Sequence, residues 1–354
     1  MPGTKNPATD PATPPDDAAR PLVIAIVGLG WTGVALGQAL QRVKTRYQVH
    51  GHDRDPARVR AALGAGAIDR GRWSVADLAA GADMVFLTEP LAESLETLSV
   101  IAPHARPGTL ITGAGAAMAP VMARAAEVLP PGVSYIGGHP IPRAAGGGRA
   151  QTASGAETER PADAALPLPG TAFRGATYCL APSPSAGDDV VRVLHNLVTS
   201  IGAEAYFIDA AEHDALLAGA GTLPALIAAA LLRVIDRSPS SPDLQRLAGR
   251  ALMALIGSLA SDAEGDGRPV VVGEDAASTA RWLGQVIGEL QAVHAALLAG
   301  DGGPSDALLA EAAAVRARWH APEVPDAAVD ALEEAKATFS LGGMLFGRWR
   351  RGRR

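Results

Sequence analysis

The sequence predicts an α/β chain, with a doubly wound parallel sheet in its N-terminal half and an all-α domain after it. Three observations carry this expectation. Short apolar runs alternate with helix-length segments from Leu22 to Ile208, the pattern of βαβ units joined by right-handed crossovers. From Ala210 the strand signals stop and long apolar helical runs take over. Hydrophobic residues make up 48% of the 354 residues and aromatic ones only 4%. Alanine, leucine and valine must therefore fill the core, and alanine favours helix.

Residues 1–20, rich in Pro, Ala and Asp, read as a disordered leader without the apolar stretch of a signal peptide. Leu22–Val27 is an unbroken apolar run ended by glycine, as expected of a strand buried on both faces. A helix follows from Trp31 to about Val43, and Tyr47–His52 reads as the second strand. Asp55-Pro56 then offers an N-cap and an N1 proline for a helix to about Leu63. Further strands are expected over 84–88, 109–112 and 133–137, separated by helices over 91–101 and 120–129.

Residues 144–170 break this rhythm with Gly, Ala and Pro and read as an irregular loop. Strands resume at 176–180 and 203–208 around a helix over 188–201. The remainder reads as helices over 210–237, with Pro224 as a kink, then 242–262, 276–299, 305–317 and 326–338. A helix apolar on most faces must be buried. A second copy of the chain offers that burial, so the helical domain, 210–320, is expected to form a homodimer. Residues 321–354 are left as a C-terminal helix and a basic tail.

The segment Gly28-Leu29-Gly30-Trp31-Thr32-Gly33 lies directly between the first strand and the first helix. That context turns a common glycine pattern into a pyrophosphate-binding fingerprint. The first glycine permits a tight turn, the second lets backbone approach the phosphates, and the third brings helix against strand. Residues 21–209 are therefore expected to form a Rossmann-type dinucleotide-binding domain. Asp53 ends the second strand, where a carboxylate accepts from ribose hydroxyls and so points to NAD. Arg54 beside it can face a 2′-phosphate instead, which leaves NADP open.

Composition bounds the partners. The net charge of −6 gives no general case for nucleic acid. No stretch reaches the roughly 18 unbroken apolar residues of a membrane span. Single Cys179 excludes an internal disulfide framework and a cysteine zinc site, and fits a reducing cytoplasm. The histidines show no metal-ligand spacing. The Arg-rich tail Arg348–Arg354 with Trp349 is the one feature that can touch anionic lipid or RNA.

The order GLGWTG, HDRDP, DMVFLTEP, APHARPGTLIT and LPPGVSYIGGHP, continued by AFRGATYCLAP, IGAEAYFID and AEHDALLAGAGTLP, resembles prephenate (arogenate) dehydrogenases over residues 22–320. The resemblance implies a nucleotide-binding domain followed by a helical dimerisation domain, acting in oxidative decarboxylation on the way to tyrosine. It implies that His139, in Gly137-Gly138-His139-Pro140, accepts the hydrogen bond of the substrate's ring hydroxyl. Other positions of the pattern are replaced. The family's serine and lysine after the fifth strand are Ala116 and Met118 here, and its two helical histidines are Thr222 and Ala225. Its carboxylate-binding arginine falls on Gly257.

Arg143, Arg174 and Arg250 are the candidate replacement cations. Three readings stay open: a family dehydrogenase with a remodelled pocket, a dehydrogenase for another small-molecule substrate, and a non-catalytic NAD-binding paralogue with a regulatory or scaffolding role.

Overall fold

The computed structural model describes residues 21–142, 150–151, 157–158, 171–257, 259 and 275–319. Its strands are β1 (Leu22–Val27), β2 (Tyr47–His52), β3 (Arg70–Gly71), β4 (Met84–Leu87), β5 (Leu110–Gly113), β6 (Ser134–Ile141), β7 (Ala150–Gln151), β8 (Glu157–Thr158), β9 (Thr177–Pro182) and β10 (Glu204–Phe207). The nucleotide half carries helices α1 (Trp31–Arg42), α2 (Pro56–Gly64), α3 (Val75–Gly81), α4 (Leu91–Ile101), α5 (Ala119–Val128) and α6 (Asp188–Ser200). The helical half carries α7 (Ala210–Leu217), α8 (Leu223–Asp236), α9 (Ser241–Arg246), α10 (Arg250–Gly257), α11 (Ala276–Leu298) and α12 (Gly303–Trp319).

Eight strands form one sheet in the order β10-β9-β6-β5-β4-β1-β2-β3, and β7 pairs with β8 in a separate ribbon. All six residues of β1 are buried. Their alternation explains the unbroken apolar run. Ile24 and Ile26 pack into a layer with Leu36 and Leu40 of α1 and Leu194 and Leu197 of α6. Val23, Ala25 and Val27 enter the opposite layer with Leu78 and Leu98. Helices thus cover both faces of the sheet, the arrangement that doubly wound folds require.

The structure departs from the sequence expectation at the far edge of the sheet. Strands β1 to β6 are parallel, but β9 pairs antiparallel with β6, from Ile136↔Pro182 to Ile141↔Thr177, and β10 follows β9 in parallel. The chain re-enters the sheet beside the end of β6, so β9 runs back along it. A strand buried on both faces shows the same apolar run in either direction. The two-residue β3 and the short α3, whose Ser74 cap accepts from Asp77 N at 3.1 Å, also lie outside the sequence reading.

In the helical half, Pro224 does not kink a continuous α-helix. It stands in the first turn of α8, where its missing N–H costs nothing. The irregularity is a π-turn just before it, Ala218–Thr222. A Cβ on Gly219 of that turn would come within 2.8 Å of the Trp282 ring, whose Nε1 donates to Ala215 O at 3.2 Å. The helix expected over 242–262 is divided into α9 and α10 near Gly249. The leader, most of the 144–170 loop, and residues 321–354 lie outside the described residues.

Candidate functional site

The glycine turn adopts a geometry only glycine fits. Gly28 has φ +91°, and a Cβ on Gly33 would stand 2.0 Å from Gly28 O. The Thr88 hydroxyl donates to Val27 O at 3.0 Å and also to Gly28 O, which pins the turn to the end of β4. Gly30 caps α1 without a side-chain hydrogen bond, so the first-turn amides are left for an anion. Leu29 is buried under the turn, while Trp31 and Thr32 are half-buried on the first turn of α1. The chain's own residues therefore fit a dinucleotide pyrophosphate.

Asp53 stands where the ribose end requires an acid. Its Oδ2 accepts from Leu29 N at 2.7 Å and its Oδ1 from Asp55 N at 2.8 Å, which ties β2 to the turn. Arg54 is exposed and paired with Glu96 on α4 at 2.8 Å. A carboxylate at this position disfavours a 2′-phosphate. Asp53→Asn keeps the acceptor for Leu29 N and removes the charge. Titration of NAD+ and NADP+ should show the ratio of the two affinities moving toward NADP+ by about tenfold, the equivalent of 1.4 kcal/mol. An unchanged ratio would contradict this role for Asp53.

At the other end of the sheet, His139 sits on β6 opposite Cys179 of β9. Its Nδ1 lies 3.0 Å from His213 Nε2, and the two rings meet edge to face. His213 Nδ1 lies 2.8 Å from Asp214 Oδ1. The Asp214 carboxylate also accepts the Met118 and Ala119 amides at the start of α5, both at 2.9 Å. Asp209 caps α7 through the Ala211 and Glu212 amides and so sets His213 and Asp214 in their register. The result is a relay from the α5 N-terminus through Asp214 and His213 to His139.

Burial holds His139 neutral and lowers it to about 4, with the charge on His213 acting in the same direction. Burial opposes charging of His213 as well, but hydrogen bonding to Asp214 and to the Cys179 thiol prevails and raises it to about 9. The first proton thus resides on His213, which then donates to both Asp214 and His139 Nδ1. His139 keeps hydrogen on Nε2 in that state and is no base. Loss of the shared proton puts hydrogen on His139 Nδ1 and frees Nε2. The availability of His139 Nε2 as a base should therefore rise with pH through about 9 and level above it, as read from a pH–rate profile. Asp214→Asn should move the plateau to lower pH. A profile unaltered by that change would sink the relay.

His139 opens into a cavity of about 410 Å³ between the sheet and the helical half. Leu87, Tyr135 and Met118 supply wall from the nucleotide side, and Leu217, Thr222 and Thr279 from the helical side. Glu89 also lines it, buried and immediately beneath the glycine turn. Its γ-carbon would lie 2.8 Å from a Cβ on Gly28, and Thr97 donates to its Oε2 at 2.6 Å. Burial raises the Glu89 carboxyl above its usual range.

Of the candidate cations, Arg143 lies outside the described residues. Arg174 is exposed, with its side chain laid over Gly202 at the end of α6, and Arg250 is exposed at the start of α10. Neither lines the cavity. The sequence reading missed Glu89, His213 and Asp214 as site residues. The available signal was an ionisable cluster at the head of a long apolar helix, and a glutamate two residues after a buried strand.

Comparison with known proteins bears on the nucleotide half. The family described as prephenate dehydrogenase, nucleotide-binding domain, matches residues 36–207. Residues 36–207 are thus similar to the nucleotide-binding domain of prephenate dehydrogenases. A prephenate dehydrogenase from Bacillus subtilis is 27% identical over 218 residues, 61% of this chain and 54% of that protein, so the chain is matched along about half of that relative's length.

Among solved structures, Synechocystis arogenate dehydrogenase aligns over 84% of this chain and 100% of its own, with TM-score 0.63 and 21% identity. Prephenate dehydrogenase from A. aeolicus, solved with hydroxyphenyl propionate and NAD+, aligns over 84% of this chain and 98% of its own, with TM-score 0.62 and 16% identity. At these identities the structural likeness speaks for the fold alone: a Rossmann-like domain with a mostly parallel sheet, followed by a helical region.

Proposed function

We propose that this protein is an NAD-dependent dehydrogenase of a small hydroxyl-bearing substrate held in the cavity beside His139. The relay from Asp214 through His213 to His139, opening into that cavity, is the observation that carries the reading. Bound nicotinamide supplies the hydride acceptor. His139 Nε2 takes the hydroxyl proton, and its Nδ1 proton shifts toward His213, whose charge Asp214 balances. Tyr135, Leu87 and Met118 line the cavity beside His139. The names of the relatives make prephenate and arogenate the first substrates to try. The assay is NADH formation with each, run beside NAD+ and NADP+ titrations. Binding of neither cofactor would refute the dehydrogenase reading. Cofactor binding without turnover of any hydroxyl substrate would favour a regulatory role.

A second reading of the substrate has its own observation. The cavity is lined by Ala116 and Met118, where the family's serine and lysine fall, and by Thr222, where it has a histidine. Their absence favours a substrate other than prephenate.

We further propose a homodimer through the helical half. Leu231, Val234, Leu290 and Leu309 are exposed there. The continuous helical run Ala210–Asp236 is long and apolar enough to cross a membrane by length and composition, yet little of it is buried within one chain. Light scattering at micromolar concentration should give twice the chain mass. A monomer, or partition of the protein into vesicles, would contradict the dimer.

A further inference from the structure

Glu89 is a buried carboxyl that the relay to His139 does not use. Strands β2, β1, β4 and β5 are neighbours in that order and all parallel, so the residues that follow them meet at one edge of the sheet. Asp53 follows β2, the glycine turn follows β1, and Glu89 lies two residues past β4. Beyond β5 comes β6 with His139. A dinucleotide with its pyrophosphate on the turn and one ribose at Asp53 must lead its second ribose toward β4, because its nicotinamide has to reach the cavity beside His139. Gly113, Gly115 and Ala116, in and just after β5, line that cavity with little side chain.

Glu89 stands where that ribose would pass. It is only 8% exposed, and its γ-carbon lies 2.8 Å from the place of a Cβ on Gly28. Two hydroxyls of α4 fix it: Ser94 donates to its main-chain oxygen at 3.0 Å, and Thr97 to its Oε2 at 2.6 Å. Among the described residues no group bonds Oε1, and Glu89 lines the cavity. Burial raises the carboxyl above its usual range, a cost that a residue serving only to fill space would not carry. In either protonation state Oε1 suits a hydroxyl: ionised it accepts, and protonated it can also donate. A side chain already held in place loses little freedom on binding. Resting on the reading of this chain as a nicotinamide-dependent dehydrogenase, we propose that Glu89 binds the hydroxyls of the nicotinamide-side ribose through Oε1 and so aims the nicotinamide into the cavity beside His139.

The test is calorimetry on the full chain with NAD+, ADP-ribose and ADP. The first two carry the second ribose, and the third ends at the pyrophosphate. Glu89→Ala should weaken NAD+ and ADP-ribose by at least about tenfold and leave ADP within about threefold of the parent. Glu89→Gln, which keeps an oxygen and gains a donor at that place, should stay within about threefold for all three. Thr97→Val removes the brace and leaves the carboxyl. It should show the selectivity of Glu89→Ala at smaller size, and it carries the test if Glu89→Ala does not fold. Losses shared equally by ADP make Glu89 a support of the turn and overturn the proposal. So does NAD+ and ADP-ribose binding that neither Glu89→Ala nor Thr97→Val alters, or a Glu89→Gln protein as impaired as Glu89→Ala. A parent chain that binds neither NAD+ nor NADP+ loses the dehydrogenase reading and this proposal with it. One that binds NAD+ and oxidises a hydroxyl substrate, while its variants bind as it does, loses only the role of Glu89.

Discussion

His139→Asn should cut turnover steeply while leaving NAD+ affinity unchanged. The histidine and the glycine turn occupy different strands of the sheet, and asparagine preserves a polar group at the Nδ1 end near His213. What disappears is the ring nitrogen left over once Nδ1 faces His213 at 3.0 Å. Positioned acid–base groups contribute about 10²–10⁴ in rate, so kcat should fall by that factor in steady-state NADH formation. Substrate KM should change much less, because the cavity wall is otherwise intact. His213→Gln should cost less in rate and flatten the pH profile, since it removes the coupled charge but not the base. Retention of full kcat in His139→Asn would remove the histidine from the chemistry.

Gly33→Ala should destroy cofactor binding and lower thermal stability together. The added Cβ would lie 2.0 Å from Gly28 O and 2.9 Å from Thr88 Oγ1. The first of these is backbone, with no side chain to swing aside, so α1 must retreat from β1. Overpacking of this kind costs about 1–3 kcal/mol, and displacement of the helix N-terminus removes the amides that would face a phosphate. NAD+ affinity should fall by at least about tenfold, in step with a lower Tm. Gly64→Ala is the matched control. It stands at the end of α2 with open space around it, and helix propensity predicts a gain of up to about 1 kcal/mol. A stable Gly33→Ala protein that still binds NAD+ would show the turn to be elsewhere.

The nucleotide half was legible because its signals are local. A buried strand, a glycine turn and a helix start lie within a dozen residues, and each restricts backbone conformation by itself. Strand direction at the β9 edge was not legible, because side-chain burial is indifferent to polarity. The relay was illegible for another reason. His139 is 74 residues from His213, and Met118 is 96 from Asp214, so no spacing rule joins them. Their meeting depends on how α7 docks against α5. Arg174 and Arg250 illustrate the converse error, in which a residue type suited to a task is inferred without a fold to deliver it. Glu89 had a faint local signal, an acid two residues after the apolar Met84–Leu87, and an interior carboxyl of that kind is a candidate for function.

Asp214 has a consequence for how such a protein can change over time. The grip on the cofactor is written within one contiguous stretch, 28–53, that folds with the sheet. The proton-handling apparatus exists only after a later segment has seated its carboxylate on the α5 amides. The two parts can thus drift at different speeds. Exchange of wall residues such as Ala116, Met118 and Thr222 can redirect the chemistry to new molecules, while the cofactor stretch and the docking carboxylate stay as they were.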